Sequence, residues 1–172
     1  MQLYIAAVRR LSQIGGVFAA LLILVSILVV CQMVFTRAVL GQSSIWQTEF
    51  VTFALISATF IGAPYILLTR GHVNVDILPL MLGQRGRVIL AFIASAIGLL
   101  FCGVFFYNSI EWWYEAWSGN LTTPSMWRAR LWIPYLSVPV GMGLLCLQYI
   151  ADILALATGA AMPFGLTPED TL

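Results

Sequence analysis

A chain of 172 residues in which 61% are hydrophobic and only 9% charged, with a mean hydropathy of +0.96, has too little polar surface to fold in water, where about a quarter of residues are ordinarily charged. Its formal net charge is +1, carried on eight arginines with no lysine. No basic run marks a nucleic-acid partner.

Four stretches lack any Asp, Glu, Lys, Arg or His: residues 11–36, 50–69, 88–110 and 131–151. Each has at least the twenty or so residues that, at about 1.5 Å per residue, cross a hydrocarbon core of about 30 Å. The expected fold is all-α and polytopic, with spans near 14–35, 45–69, 88–112 and 131–154, a tail over 155–172, and one integral membrane domain over 1–172.

Span 1 follows Arg9 and Arg10 and is mostly Leu, Val and Ile. It exceeds the apolar core of a secretory signal and lacks a small-x-small exit, so it is expected to remain as an anchor. Cys31, Cys102 and Cys146 each fall inside a span and form no C-x-x-C pair, which argues for small apolar packing rather than disulfide or redox chemistry.

Span 2 opens with Trp46 and Glu49 and continues with Ala54, Ala58 and Gly62 at four-residue spacing. Small residues in that register let a neighbouring helix approach closely. Pro64 removes one helical hydrogen bond near the far end. The loop after it reads Arg70-Gly71-His72-Val73-Asn74-Val75-Asp76. Asp76 is placed to cap a short helix with Pro79 in its first turn, which would lie along the interface on Ile77, Leu78, Leu80, Met81 and Leu82.

Span 3 has a small face through Ala91, Ala94 or Ser95, Gly98 and Cys102. Span 4 has Pro134 in its first turn, Pro139 deeper, and Ser137 and Gly141 at close-packing spacing. All six tryptophans, Trp46, Trp112, Trp113, Trp117, Trp127 and Trp132, sit at span ends that face the first and third loops. An interfacial aromatic belt accounts for them. Belts normally occupy both faces, however, so this rim is also read as a protein contact. The tail and second loop hold Arg9, Arg10, Arg70, Arg85 and Arg87, against Arg37, Arg128 and Arg130 on the other side, which favours both termini in the cytoplasm.

A charge at mid-span costs about 3 kcal/mol and usually marks a transport path. None exists here. The nearest acid, Glu49, lies about one turn inside the interface, either paired with Arg37 across the short first loop or available to a partner. The only histidine, His72, is in a loop, so axial haem ligation within the spans is not expected, and one histidine without nearby cysteines or paired carboxylates makes a poor metal site. No catalytic, metal or cofactor site is expected, and the chain is read as not an enzyme.

In linear order, Arg37, Trp46 with Glu49, Gly62, the Arg70–Asp76 stretch, and Leu131-Trp132-Ile133-Pro134-Tyr135 with Pro139 and Gly141 resemble the small membrane subunit of the tripartite ATP-independent periplasmic (TRAP) transporters. The resemblance covers nearly the whole chain. It implies a non-catalytic subunit in the bacterial inner membrane, scaffolding a large multi-helix subunit that takes up an organic acid with sodium, the acid being delivered by a periplasmic binding protein. By that analogy the expected partner contacts are Arg37, Trp46, Glu49, Arg70, His72, Asp76, Trp112, Trp113, Trp117, Arg128 and Arg130, with membrane lipid around the spans. Two alternatives share the composition: the small subunit of a tricarboxylate-type tripartite system and a membrane anchor for an oxidoreductase.

Overall fold

The structure, a computed structural model, describes residues 2–42, 45–69 and 84–158. Within them the chain forms four helices: α1 (Gln2–Leu40), α2 (Trp46–Leu68), α3 (Gln84–Ser118) and α4 (Trp132–Ala157). All four are long and apolar enough to cross a membrane. The short helix expected near Asp76 and Pro79 falls outside the described residues, as does the tail beyond Thr158.

The helices run past the apolar stretches that predicted them. α1, at 39 residues, is roughly 58 Å long at 1.5 Å per residue, so it outreaches a ~30 Å hydrocarbon core. An apolar run locates only the part in hydrocarbon, and nothing around Arg9 and Arg10 breaks the helix. What stops α1 is Gly41, at φ 64°, the left-handed conformation that glycine adopts without a Cβ penalty. α3 ends differently. Leu121 N–H donates to the Ala116 carbonyl (3.1 Å) and Asn120 N–H to that of Trp117 (3.3 Å), with Asn120 at φ 46°. This pair of bonds is a Schellman motif with asparagine in the left-handed position.

Inside the bundle the side chains are small. The buried line of α1 is Val8, Ser12, Gly15, Ala19 and Ser26, that of α2 includes Ala54, Ala58 and Gly62, and that of α4 includes Ser137, Gly141, Leu145, Gln148, Ala151 and Ala155. On α3, Ala91 and Cys102 are buried while Ala94 faces outward, so Ser95 is the member of the expected small face that turns inward. The large apolar residues lie outside, among them Ile14, Leu100 and Phe101. Lipid is as apolar as leucine, so helices here gain from close backbone approach rather than from hiding bulk.

α4 touches every other helix: α3 along much of its length, α2 beside it, and α1 more lightly, while α1 packs chiefly on α2. The tightest point joins α2 and α4, and its cause lies in the sequence. Pro64 has no N–H, so the Phe60 carbonyl four residues earlier loses its helical donor. Gly141 of α4 is pressed against that carbonyl so closely that a side chain there would overlap Phe60 backbone atoms. From the other side α1 approaches through Gly15, where a Cβ would stand 2.8 Å from the Ile61 oxygen, and through Ala19 against Gly62. Neither Pro64 nor Pro139 interrupts its helix.

The hydroxyls of two exposed threonines and one buried serine bond to their own helices. Thr52 donates to the Thr48 carbonyl (2.9 Å), Thr59 to Leu55 (2.9 Å) and Ser26 to Leu22 (2.7 Å), which pairs these three hydroxyls within the apolar middle.

Candidate functional site

Two polar regions stand at opposite ends of the apolar middle. At the end that holds the α1 N-terminus, Ser12 Oγ donates to Gln148 Oε1 (2.9 Å), and Gln148 Nε2 donates to Asp152 Oδ1 (3.0 Å). Ser12 and Gln148 are almost wholly buried. These bonds fasten α1 to α4 where the sequence offered only an anchor. Tyr4 adds a bond from its hydroxyl to the Leu147 carbonyl (3.3 Å). Arg87, in the first turn of α3, is fully buried, and both it and Asp152 are engaged in further interactions.

Sequence reasoning missed this cluster because the apolar run ends at Ala151, one residue short of Asp152. Gln148 and Asp152 at i, i+4 on one helix face were the available signal. Ser12 could not be assigned to them without the helix register.

The other end carries all six tryptophans. Trp117 and Trp132 meet edge to face with centroids 4.7 Å apart, Trp113 and Trp117 stand at 5.7 Å, and Trp46 lies 6.5 Å from Trp127. One set of aromatic contacts thus joins α3 to α4 and another joins α2 to the third loop, each contact worth about 1 kcal/mol where well formed. Trp112 is outside this group and mostly exposed.

The third loop is ordered. Leu131 N–H donates to Leu121 O (3.0 Å) and Thr123 N–H to Ala129 O (2.9 Å), around an antiparallel bridge between Thr122 and Arg130. Thr123 Oγ1 accepts from Ala129 N–H (3.0 Å) and lies 3.1 Å from Ser125 Oγ. Its tip presents Met126, 91% exposed, and Arg128 at φ 50°. The sequence signalled the tryptophans here but not a hairpin, because no glycine pair marks the turn.

Glu49 sits in the first turn of α2. Its expected pairing with Arg37 is not formed among the described residues, and Glu49 Oε2 is buried without a hydrogen-bond partner. The register explains this. Gln47 Nε2 donates to Gln32 Oε1 (3.2 Å) and Thr48 Oγ1 to Met33 Sδ (3.6 Å), which fixes Gln47 level with Gln32. Glu49 is then two residues deeper and Arg37 five residues further out, about 10 Å apart along the axis at 1.5 Å per residue. Gln32 Nε2 donates onward to Thr36 Oγ1 (3.1 Å). A second orphan, Trp113 Nε1, is also buried without an acceptor at this end.

Of the other residues expected to meet a partner, Trp46 stands at the start of α2, Arg37 in the last turn of α1, and Arg130 exposed beside Trp132. Arg70, His72 and Asp76 lie outside the described residues. Chemically, the end carrying the tryptophans offers an unsatisfied carboxylate oxygen, an unsatisfied indole N–H, exposed arginines and apolar rings. That set suits recognition of another surface.

Comparison with known proteins gives two matches. The family model described as "Tripartite ATP-independent periplasmic transporters, DctQ component" matches residues 26–159. The C4-dicarboxylate TRAP transporter small permease protein DctQ of Rhodobacter capsulatus is 23% identical over 123 residues, covering 72% of this chain and 54% of that protein. The chain thus aligns with about half the length of that relative. No solved structure matches.

Proposed function

Because this chain belongs to the DctQ component family of the TRAP transporters, as a multi-pass small permease subunit, we propose that it serves as the stationary scaffold of a larger uptake machine. In this reading a large multi-helix membrane subunit carries the substrate and sodium sites. A periplasmic binding protein delivers an organic acid to it. The C4-dicarboxylate in the name of the Rhodobacter capsulatus relative accords with such a cargo. Membership in the family sets aside the tricarboxylate-type and oxidoreductase-anchor alternatives.

The observation that supports a scaffold most is the chemistry of the spans. No Asp, Glu, Lys, Arg or His occurs in residues 11–36, 50–69, 88–110 or 131–151, and the helix contacts at mid-depth are made by glycine and alanine at close range. Moving an anionic solute needs polar midplane groups and broken helices, which a partner chain would supply. The hairpin tip at Met126 and Arg128 and the exposed Trp112 are assigned to the binding protein, and Glu49 with Trp113 to a polar group of the large subunit. The expected setting is the bacterial inner membrane with both termini cytoplasmic, which puts the tryptophans on the periplasmic side.

Affinity purification of the tagged chain from native membranes tests the reading. A polytopic partner of about twelve helices recovered in constant ratio is the expected result. Recovery of the chain alone, or with a redox enzyme, would contradict it.

A further inference from the structure

Between the last turn of α3 and the first turn of α4 lies an open cleft of about 320 Å³, lined by Trp117, Ser118, Asn120, Arg130 and Trp132. We propose that it is a phospholipid headgroup site, with the lipid phosphate held by Arg130. The inference uses only the bilayer setting of the helices and does not depend on the scaffold role.

The cleft's volume is near the lower end of ligand pockets, about 300–1,000 Å³. Its walls are two indoles at 4.7 Å, edge to face. Its polar side-chain groups are one guanidinium, one amide, one hydroxyl and the N–H of each indole. The Arg130 guanidinium forms no ion pair and no hydrogen bond among the described residues and is exposed at the cleft, so its donors are available to a ligand there. A guanidinium presents a planar fork that matches two phosphate oxygens, and no carboxylate lines the cleft to compete for it.

What lies beneath decides between a lipid and a free anion. On α4, Leu136 and Val140 follow Trp132 at i+4 and i+8, on the same face and one and two turns deeper. They are 38% and 45% exposed. On α3, Tyr114 and Ile110 stand three and seven residues before Trp117 and are 63% and 40% exposed. An uncovered apolar track therefore leads from the cleft into the hydrocarbon. An acyl chain fits that track, and inorganic phosphate would leave it bare. Trp117 and Trp132 are at the depth where indoles favour the headgroup region.

The test is native mass spectrometry of the detergent-purified transporter complex titrated with phosphatidylglycerol, and in parallel with diacylglycerol, which lacks the phosphate. Arg130→Gln removes the fork. Asn120→Asp adds a like charge while keeping a residue type that tolerates the left-handed φ of 46° at that position. Arg128→Gln is the matched control, since that arginine belongs to the same loop but does not line the cleft. We expect the wild type and Arg128→Gln to retain one tightly held phosphatidylglycerol that a hundredfold excess of inorganic phosphate does not displace. Arg130→Gln and Asn120→Asp should lower its retention about tenfold, and diacylglycerol should not occupy the site. Equal retention in all four proteins, an equal loss in Arg128→Gln, equal binding of diacylglycerol, or displacement by inorganic phosphate would each overturn the proposal.

Discussion

The middle of the bundle and its end with the tryptophans are held by opposite means. At mid-depth, glycine and alanine bring backbones together, hydroxyls bond to their own helices, and a carbonyl freed by Pro64 is covered by Gly141. At the far end large rings and a hydrogen-bonded hairpin do the joining, and two buried polar atoms, Glu49 Oε2 and Trp113 Nε1, are left unsatisfied. A region that satisfies itself is built for permanence. A region with unmet polar groups is built to meet something else, because an unpaired buried donor or acceptor costs about 1–3 kcal/mol until a partner arrives.

Substitutions should separate the two regions. The largest effect is expected from Gly141→Leu, whose side chain would have to occupy the space of the Phe60 backbone. We expect a loss of about 3 kcal/mol, the upper part of the overpacking range, seen as a lowered thermal midpoint in detergent. Gly103 is the contrast, since a Cβ there would meet nothing within 4 Å. Gly103→Ala should leave the stability unchanged or raise it by up to about 1 kcal/mol through helix propensity, with the midpoint held or raised. Similar behaviour of the two variants would remove the claim that backbone proximity holds the middle.

A smaller loss of stability is expected from Gln148→Leu, which cuts the link from Ser12 to Asp152. The expected cost is about 1 kcal/mol, within the range for hydrogen bonds between membrane helices, read by unfolding in mixed micelles.

At the opposite end, stability and assembly should part. Glu49→Gln should change the stability of the isolated chain by less than about 0.5 kcal/mol, since Oε2 has no internal partner, yet weaken its hold on the large subunit about tenfold, equivalent to about 1.4 kcal/mol. A pull-down at graded detergent concentrations measures the second effect. A stability loss with intact assembly would make Glu49 an internal structural residue instead.

The smallest effect belongs to the hairpin. Arg128→Gly relieves a left-handed conformation and is expected to stabilise the loop by about 0.5 kcal/mol, seen as slower hydrogen exchange at Thr123 and Ala129.

How much of this was legible in the sequence follows from the same contrast. Hydrocarbon demands uninterrupted apolar runs, so the four helices could be found from composition, and the spacing of Ala54, Ala58 and Gly62 announced a buried face that the structure contains. Position along a helix was readable where one helix alone determines it. Pairings between helices were not. The distance of Glu49 from Arg37 depends on how α1 registers against α2, which is set by Gln32 with Gln47 and by Gly16 beneath Tyr65. The Ser12–Gln148 bond spans 136 residues of sequence, and no local pattern encodes it. The hairpin escaped notice because Asn120 and Arg128 take left-handed conformations where glycine would have been the recognisable sign.

The central claim is that these four helices hold a transporter together without moving solute themselves. The most direct measurement is flux into liposomes containing this chain alone, under an imposed sodium or proton gradient, beside liposomes that also contain the large subunit and the binding protein. Solute uptake confined to the complete set is the predicted result, and gradient-driven uptake by the chain alone would contradict the account.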